Sequence, residues 1–138
     1  MRIIKLNISE IPDENINSFF NKVLPERNGE FRITKGRIHK DKFSANEKLV
    51  FSYKGKICYT AKSLSKIQKN TDNTLNKKYP YYFVIDTSTI KPIDMDIHLF
   101  EKEYHNFSHD TKSIARTQGW PYIKDDKIEN LLWKKLND

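Results

Sequence analysis

Three histidines stand close together in the last third of the chain, His98, His105 and His109, with Asp110 beside the last. His105 and His109 are four residues apart, so one helical face would carry both. A metal site needs a third ligand and an outer shell of supporting groups, and no such set is evident in the sequence. Asp94, Asp96, Glu101 and Glu103 form a carboxylate cluster nearby. A metal-dependent nuclease would set acids beside a lysine at a strand end. The order acidic-x-Lys is missing from the predicted strands, and these acids are better placed to cap and solvate a helix. No GxxxxGK[ST], GxSxG or HExxH motif occurs. The expectation is a binding module rather than an enzyme, with no cofactor and no metal. Cleavage of nucleic acid by His105, His109 and the nearby acids stands as the enzymatic alternative.

Binding chemistry is better represented. Between Arg27 and Lys78 the chain holds fourteen Lys or Arg against four Asp or Glu, a local net charge of +10 within a total of +7. A basic field concentrated on one part of a domain favours a polyanion, most commonly nucleic acid. Aromatic residues crowd the same region: Phe51, Tyr53, Tyr59, Tyr79, Tyr81, Tyr82 and Phe83. Basic grooves lined by aromatic faces suit single strands or flipped bases, because every base offers a π-face. Any one of these rings can serve a core instead. Trp120 differs, since it lies between Gly119 and Pro121 in a loop-like QGWPYI run. It is expected to be exposed, with Arg116 supplying a charge or donor beside it.

These residues need a frame. Leu49 to Ser63, LVFSYKGKICYTAKS, reads as two strands around Lys54-Gly55. Its period of two sets Phe51, Tyr53, Ile57, Tyr59 and Ala61 against the lysine-rich remainder. Arg2 to Asn7 forms a first strand. A helix is expected from about Pro12, with Asp13 and Glu14 in its first turn and Pro25 at its end. Ile16, Phe19, Phe20, Val23 and Leu24 make its apolar stripe. Asn28-Gly29 is a turn, Phe31 to Thr34 a short strand, and Arg37-Ile38-His39 another. Lys40 to Lys48 is polar, with Phe43 as an anchor. Leu64 to Tyr79 reads as a long mobile loop, and Tyr81 to Asp86 as a strand with Tyr81 and Phe83 on one face and Tyr82 on the other. Asp94 or Asp96 caps a helix to about Tyr104, Lys112 to Gln118 makes a helical turn, and Asp125 caps a last helix. The chain of 138 residues fits one domain, 1–138, of the α+β class: an open β-barrel of five to seven strands flanked by helices. A single cysteine, Cys58, and no stretch able to span a bilayer point to a reducing cytoplasm.

The run PERNGEFRITKGRIHKDKFSANEKLVFSYKGKICYTAKS, followed by YYFVIDTSTIKPI, resembles the PUA-like superfamily with its EVE and ASCH domains. The resemblance covers roughly Phe31 to Ile93. It implies a PUA-like pseudo-barrel that binds nucleic acid, as in N-terminal modules of McrB-type restriction systems. Carried onto this chain it implies a base pocket from Tyr59, Tyr81 and Trp120. The early Trp-containing strand of the pattern is missing, and a strand and a helix stand there instead. The reading that follows is a DNA-binding specificity domain in a restriction or defence assembly, reading a modified or flipped base. Tyr59, Tyr81, Trp120 and Arg116 would form or border the base site. Lys35, Arg37, Lys40, Lys42 and Lys62 would contact phosphates, which set affinity and salt dependence rather than sequence. The alternatives are a B3-like domain reading duplex DNA without base flipping, and a protein-interaction module whose basic face meets an acidic partner. DNA is not distinguished from RNA at this level, and neither is a full protein from a module of a longer one.

Overall fold

The computed structural model describes all residues except 12–14, 35–43 and 118. The predicted strand at Arg37–His39, the Phe43 anchor and the helix entry at Pro12 lie outside the described residues. The hairpin is formed by β3 (Lys48–Tyr53) and β4 (Lys56–Ser63). Lys54 and Gly55 both have positive φ, 50° and 81°, which defines a type I′ turn whose twist matches that of the strands. The Gly55 carbonyl accepts from the Ile97 amide at 3.0 Å, tying the hairpin tip to the start of α3 (Ile97–Ser108).

The alternation read from sequence is divided by a bulge. Phe51 pairs with Tyr59 but Ser52 pairs with Ile57, so Cys58 is an extra residue on β4. One extra residue reverses which side chains face which way. Tyr59 and Ala61 therefore join Phe51 in a first core, while Ile57 joins Val50 in a second core across the sheet.

β1 (Arg2–Lys5) pairs parallel to β3, a neighbour the sequence does not announce. On the other side β4 pairs antiparallel with β6 (Tyr81–Asp96), a strand of 16 residues. The first residues of β6 also hold β2 (Glu30–Ile33) and β5 (Gln68–Lys69). Between the pairs Lys62–Asp86 and Thr60–Lys91, β6 sets the four residues Thr87 to Ile90 against Ala61 alone, a surplus of three. Thr89 Oγ1 fills that gap, accepting from the Lys62 amide at 2.8 Å and donating to the Asp86 carbonyl at 2.6 Å. Such irregularities bend and twist a sheet. The result is the open, curled half-barrel of the α+β class that the sequence leads one to expect, in the order β1-β3-β4-β6-β2.

The predicted first helix is present but irregular. It runs as α1 (Ile16–Ser18), a π-helical stretch (Phe19–Val23) and α2 (Leu24–Glu26). Asn15 caps it, accepting from the Ser18 amide at 3.0 Å. Pro25 is its penultimate residue, so the helix ends beside the proline as expected. A proline ring clashes with the carbonyl four residues back, and the wider π turn gives that carbonyl room. The stop comes from Asn28 and Gly29, with φ of 56° and 85°. The helix delivers Phe19 and Phe20 to the first core, where they meet Phe31, Phe51 and Tyr59. On the opposite face α3 and α4 (Asp126–Asn137) close the second core with Phe100, Leu132 and Leu136. Their N-caps are Asp96 and Asp125.

Gly29 is where α2 meets the sheet. Its carbonyl accepts from the Ile85 amide at 2.8 Å, and a Cβ there would collide with the Ile85 carbonyl oxygen. Gly55 has a similar φ but open space around it. Gly55→Ala should therefore cost about 1 kcal/mol, the left-handed penalty alone, and Gly29→Ala about 3 kcal/mol or more. Urea midpoints of the two variants check this, and equal losses would contradict the close approach.

Candidate nucleic-acid interface

At one end of the sheet β2, β6 and β5 lie side by side. Ile33, Tyr81 and Lys69 are directly opposed across the three strands, and so are Arg32, Tyr82 and Gln68. Directly opposed residues share a face. The first row extends the first core: Ile33 is buried, Tyr81 packs half-buried against the cluster, and Lys69 is exposed. The second row faces the other way, with the Tyr82 hydroxyl donating to Gln68 Oε1 at 3.2 Å. There Arg32 Nε donates to Glu30 Oε2 at 2.7 Å, which balances its charge.

The 64–79 stretch is built rather than loose, which corrects the expectation of a mobile loop. β5 pairs with β6, and a 3₁₀ turn covers Leu75–Lys77. Asn70 is buried and ties the two ends of the excursion together. Its amide donates to the Pro80 carbonyl at 2.9 Å and its Nδ2 to the Tyr79 carbonyl at 3.1 Å. Asp72 accepts from the Thr74 and Leu75 amides, which hold its carboxyl below the usual range. Lys66, Lys69, Lys77 and Lys78 along this stretch, and Lys62 just before it on β4, are all exposed, and none is ion-paired among the described residues. Lys48 and Lys56, by contrast, pair with Glu129 and Asp94.

The structure places the other sequence-predicted residues as follows. Tyr59 is 3 % exposed and stacked on Phe20 at 4.2 Å. Its hydroxyl donates to Asn17 Oδ1 at 2.7 Å and accepts from Asn21 Nδ2 at 3.2 Å. Trp120 is also 3 % exposed, edge-on to Phe31 and Phe83, so the expectation of an exposed indole is corrected. Its loop is drawn inward because the flanking segment bonds to β1: Ile3 donates to the Pro121 carbonyl and Ile123 to that of Met1. Tyr59, Tyr81 and Trp120 thus reach one aromatic cluster, and Arg116 stands outside it, exposed. Lys62 is exposed on β4. Lys35, Arg37, Lys40 and Lys42 lie outside the described residues. Lys69 and Asn70 were not singled out from sequence, because a two-residue strand leaves no alternation to detect.

The turn carrying Arg116 is clamped by a charge at each end. Glu101 Oε1 accepts from Ser113 Oγ at 2.8 Å, the Ile114 amide at 2.5 Å and the Ala115 amide at 3.1 Å. Lys5 Nζ donates to the carbonyls of Ile114 at 2.6 Å, Ala115 at 3.2 Å and Thr117. An anion on amides and a cation on carbonyls is the helix-terminus pattern, although Ile114 to Arg116 form a bend and the described residues of the predicted turn, 112–117, contain no helix. Among the histidines, His105 Nε2 lies 2.8 Å from the Lys112 carbonyl and His109 ends α3 in the left-handed region. No cluster able to hold a metal occurs among the described residues. Cys58 donates to the Phe51 carbonyl at 3.3 Å, and burial pushes its thiol up to about 12.

No family model matches the chain, and no curated protein matches it in sequence. Solved structures do match in fold. One is the YTH domain of Zygosaccharomyces rouxii MRB1 protein in complex with N6-methyladenosine RNA. It has a TM-score of 0.57 and 17 % identity, over 97 % of this chain and 84 % of that one. Another is the Pho92 YTH domain in complex with m6A, with a TM-score of 0.58 and 18 % identity over 99 % and 85 % of the two chains. The fold is that of these YTH domains. They match the open-barrel class expected of the chain, and they carry the YTH name rather than the EVE, ASCH or McrB-type one that the resemblance implied.

Two measurements check this local chemistry. Burial raises the Glu101 carboxyl, but the bonds from Ser113, Ala115 and Ile114 outweigh it and hold the group below its usual range. A depressed carboxylate stabilises the fold above its unfolded pKa and loses that contribution as pH falls through the folded value. Glu101→Gln should cost about 1 kcal/mol at pH 7, and its gap to wild type should close below about pH 4. A gap independent of pH would remove the charge from the clamp. Cys58 should resist iodoacetamide at pH 8 in the folded protein and react on unfolding; rapid native alkylation would contradict its buried setting.

Proposed function

We propose that this chain binds a single nucleic-acid strand and reads a methylated base at the end of the sheet where Tyr81 stands. The observation that carries this reading is Tyr81 at the margin of the aromatic core, directly beside Lys69 and along a stretch where Lys66, Lys69, Lys77 and Lys78 are exposed and have no ion pair among the described residues. A half-buried ring offers a face for stacking, and the ammoniums offer partners for phosphates. The basic run Lys35, Arg37, Lys40 and Lys42 begins two residues after Ile33 in the sequence and would extend the same footprint. Lys62 belongs to that footprint, and Arg116 is a further strand contact. Tyr59 and Trp120 belong to the cluster against which Tyr81 packs, and with so little of either ring exposed their part in the base site is support rather than contact.

Both fold neighbours hold N6-methyladenosine, one of them in RNA. That supports a methylated adenine as the base and RNA as the strand, in place of the DNA and restriction setting expected from sequence. The reading is a binding one, with no catalytic residue assigned.

The test is a matched set of oligonucleotides: RNA and single-stranded DNA, with and without N6-methyladenine, plus duplex DNA, each at two salt concentrations. Methylated RNA should bind most tightly. Tyr81→Ala should remove about 1–3 kcal/mol of the preference for the methylated strand, with melting temperature confirming the fold. Lys69→Ala should weaken all strands alike and reduce the salt slope by about 0.7. Equal binding to methylated and unmethylated strands would overturn the reader, and preference for duplex DNA would restore the B3-like alternative.

A further inference from the structure

The second core has an opening of its own. A cavity of about 230 Å³ lies between α3, the 110–124 segment and the start of α4. Tyr104 and Tyr122 are among its lining residues, and Ile114 and Ile123, both buried members of the second core, form its floor. Both rings are held in place. The Tyr104 hydroxyl donates to Asp110 Oδ2 at 2.9 Å, and Asp110 Oδ1 accepts from the Lys112 amide at 3.0 Å. The Arg2 guanidinium lies 4.4 Å from the Tyr122 ring centroid, and Arg2 itself is buried. Tyr122 is nevertheless 46 % exposed. It is an anchored aromatic ring with its surface left open, on a backbone fixed at both flanks to β1.

The charges around the cavity cancel. Asp110 and Asp125 face it with Lys112 and Lys124. A bare anion would meet two carboxylates and a bare cation two ammoniums. A neutral planar ring with both donor and acceptor edges is served by all four, while its faces meet tyrosine and isoleucine. The volume is below the ~300–1,000 Å³ of sites for drug-sized ligands, so it suits one ring system and not a run of nucleotides. We infer that this pocket takes a single nucleobase. It opens from the second core, whereas Tyr81 borders the first, so the inference does not rest on the reading above and survives its failure.

Titration of the full chain with adenosine, guanosine, cytidine and uridine, followed by amide chemical shifts, tests it. Saturable shifts should appear at Tyr122, Ile123 and Lys112 for at least one nucleoside. Tyr122→Ala should weaken that binding about tenfold, and Asp110→Asn should change which base is preferred. Tyr122 is exposed, so the first variant leaves the core intact, and the dispersion of its other resonances checks this. Indole serves as a ring lacking the acceptor edge. Binding of indole as tight as any nucleoside, unchanged in Asp110→Asn, would reduce the pocket to an apolar cavity and overturn the proposal, as would an absence of saturable shifts with both nucleosides and a strand. An oligonucleotide arm distinguishes the source: shifts at Tyr122 with a strand but not with nucleosides would reject a free nucleoside as ligand and leave a base within a strand.

Discussion

One strand is too long to be straight. At about 3.3 Å per residue, the sixteen residues of β6 would reach ~53 Å, in a chain whose expected radius of gyration is about 14 Å. The strand must bend, and it bends where surplus residues break its register with β4. β4 pairs again with Asp86 and Ile85 past that break and then ends, and β2 and β5 take the two edges of the residues beyond. Both cores and the Tyr81 margin follow from this. The far half of β6 closes the barrel wall against the hairpin, and the near half ends among Ile33, Tyr81 and Lys69. β4, half as long as β6, covers only part of one edge; β5 continues that edge and β2 takes the other.

The elements with strong local signals were legible in the sequence: the hairpin, the YYFVID strand, the caps at Asp96 and Asp125, and the apolar stripe of the first helix. What was not legible depends on partners distant in sequence. Cys58 looks like any alternating strand residue until its register with Phe51 shows it to be the extra one. Trp120 looks like a loop residue, yet the parallel β1–β3 pair gives its segment an edge to bond with, and the indole is drawn into the core. The Lys5 and Glu101 clamp joins residues at opposite ends of the chain through backbone groups, and no side-chain pattern encodes such a contact.

The charge pattern was read correctly in bulk but not in detail. The basic excess of the middle third is divided by the fold. Lys48 and Lys56 are spent on acids of the last third, and Arg32 is matched by its strand neighbour Glu30. Among the described residues, Lys66, Lys69, Lys77 and Lys78, left without acids, lie together on the stretch between β4 and β6. Net charge alone gives a long-range attraction with no address. The sheet supplies the address by setting Lys69 directly opposite Tyr81.

The burial of Trp120 also changes what an aromatic-rich sequence implies. Of the three rings expected at the base site, two are enclosed by phenylalanines and one stands at the margin. A pocket for a flat ligand needs both kinds, because a wall that is to stack on a ring must not move when the ring arrives. Tyr59 is fixed at both ends, by Phe20 against its ring and by Asn17 and Asn21 at its hydroxyl. The aromatic excess is therefore mostly foundation. The part available to a ligand is the small remainder that the core leaves half-covered, at Tyr81 beside the first core and at Tyr104 and Tyr122 beside the second.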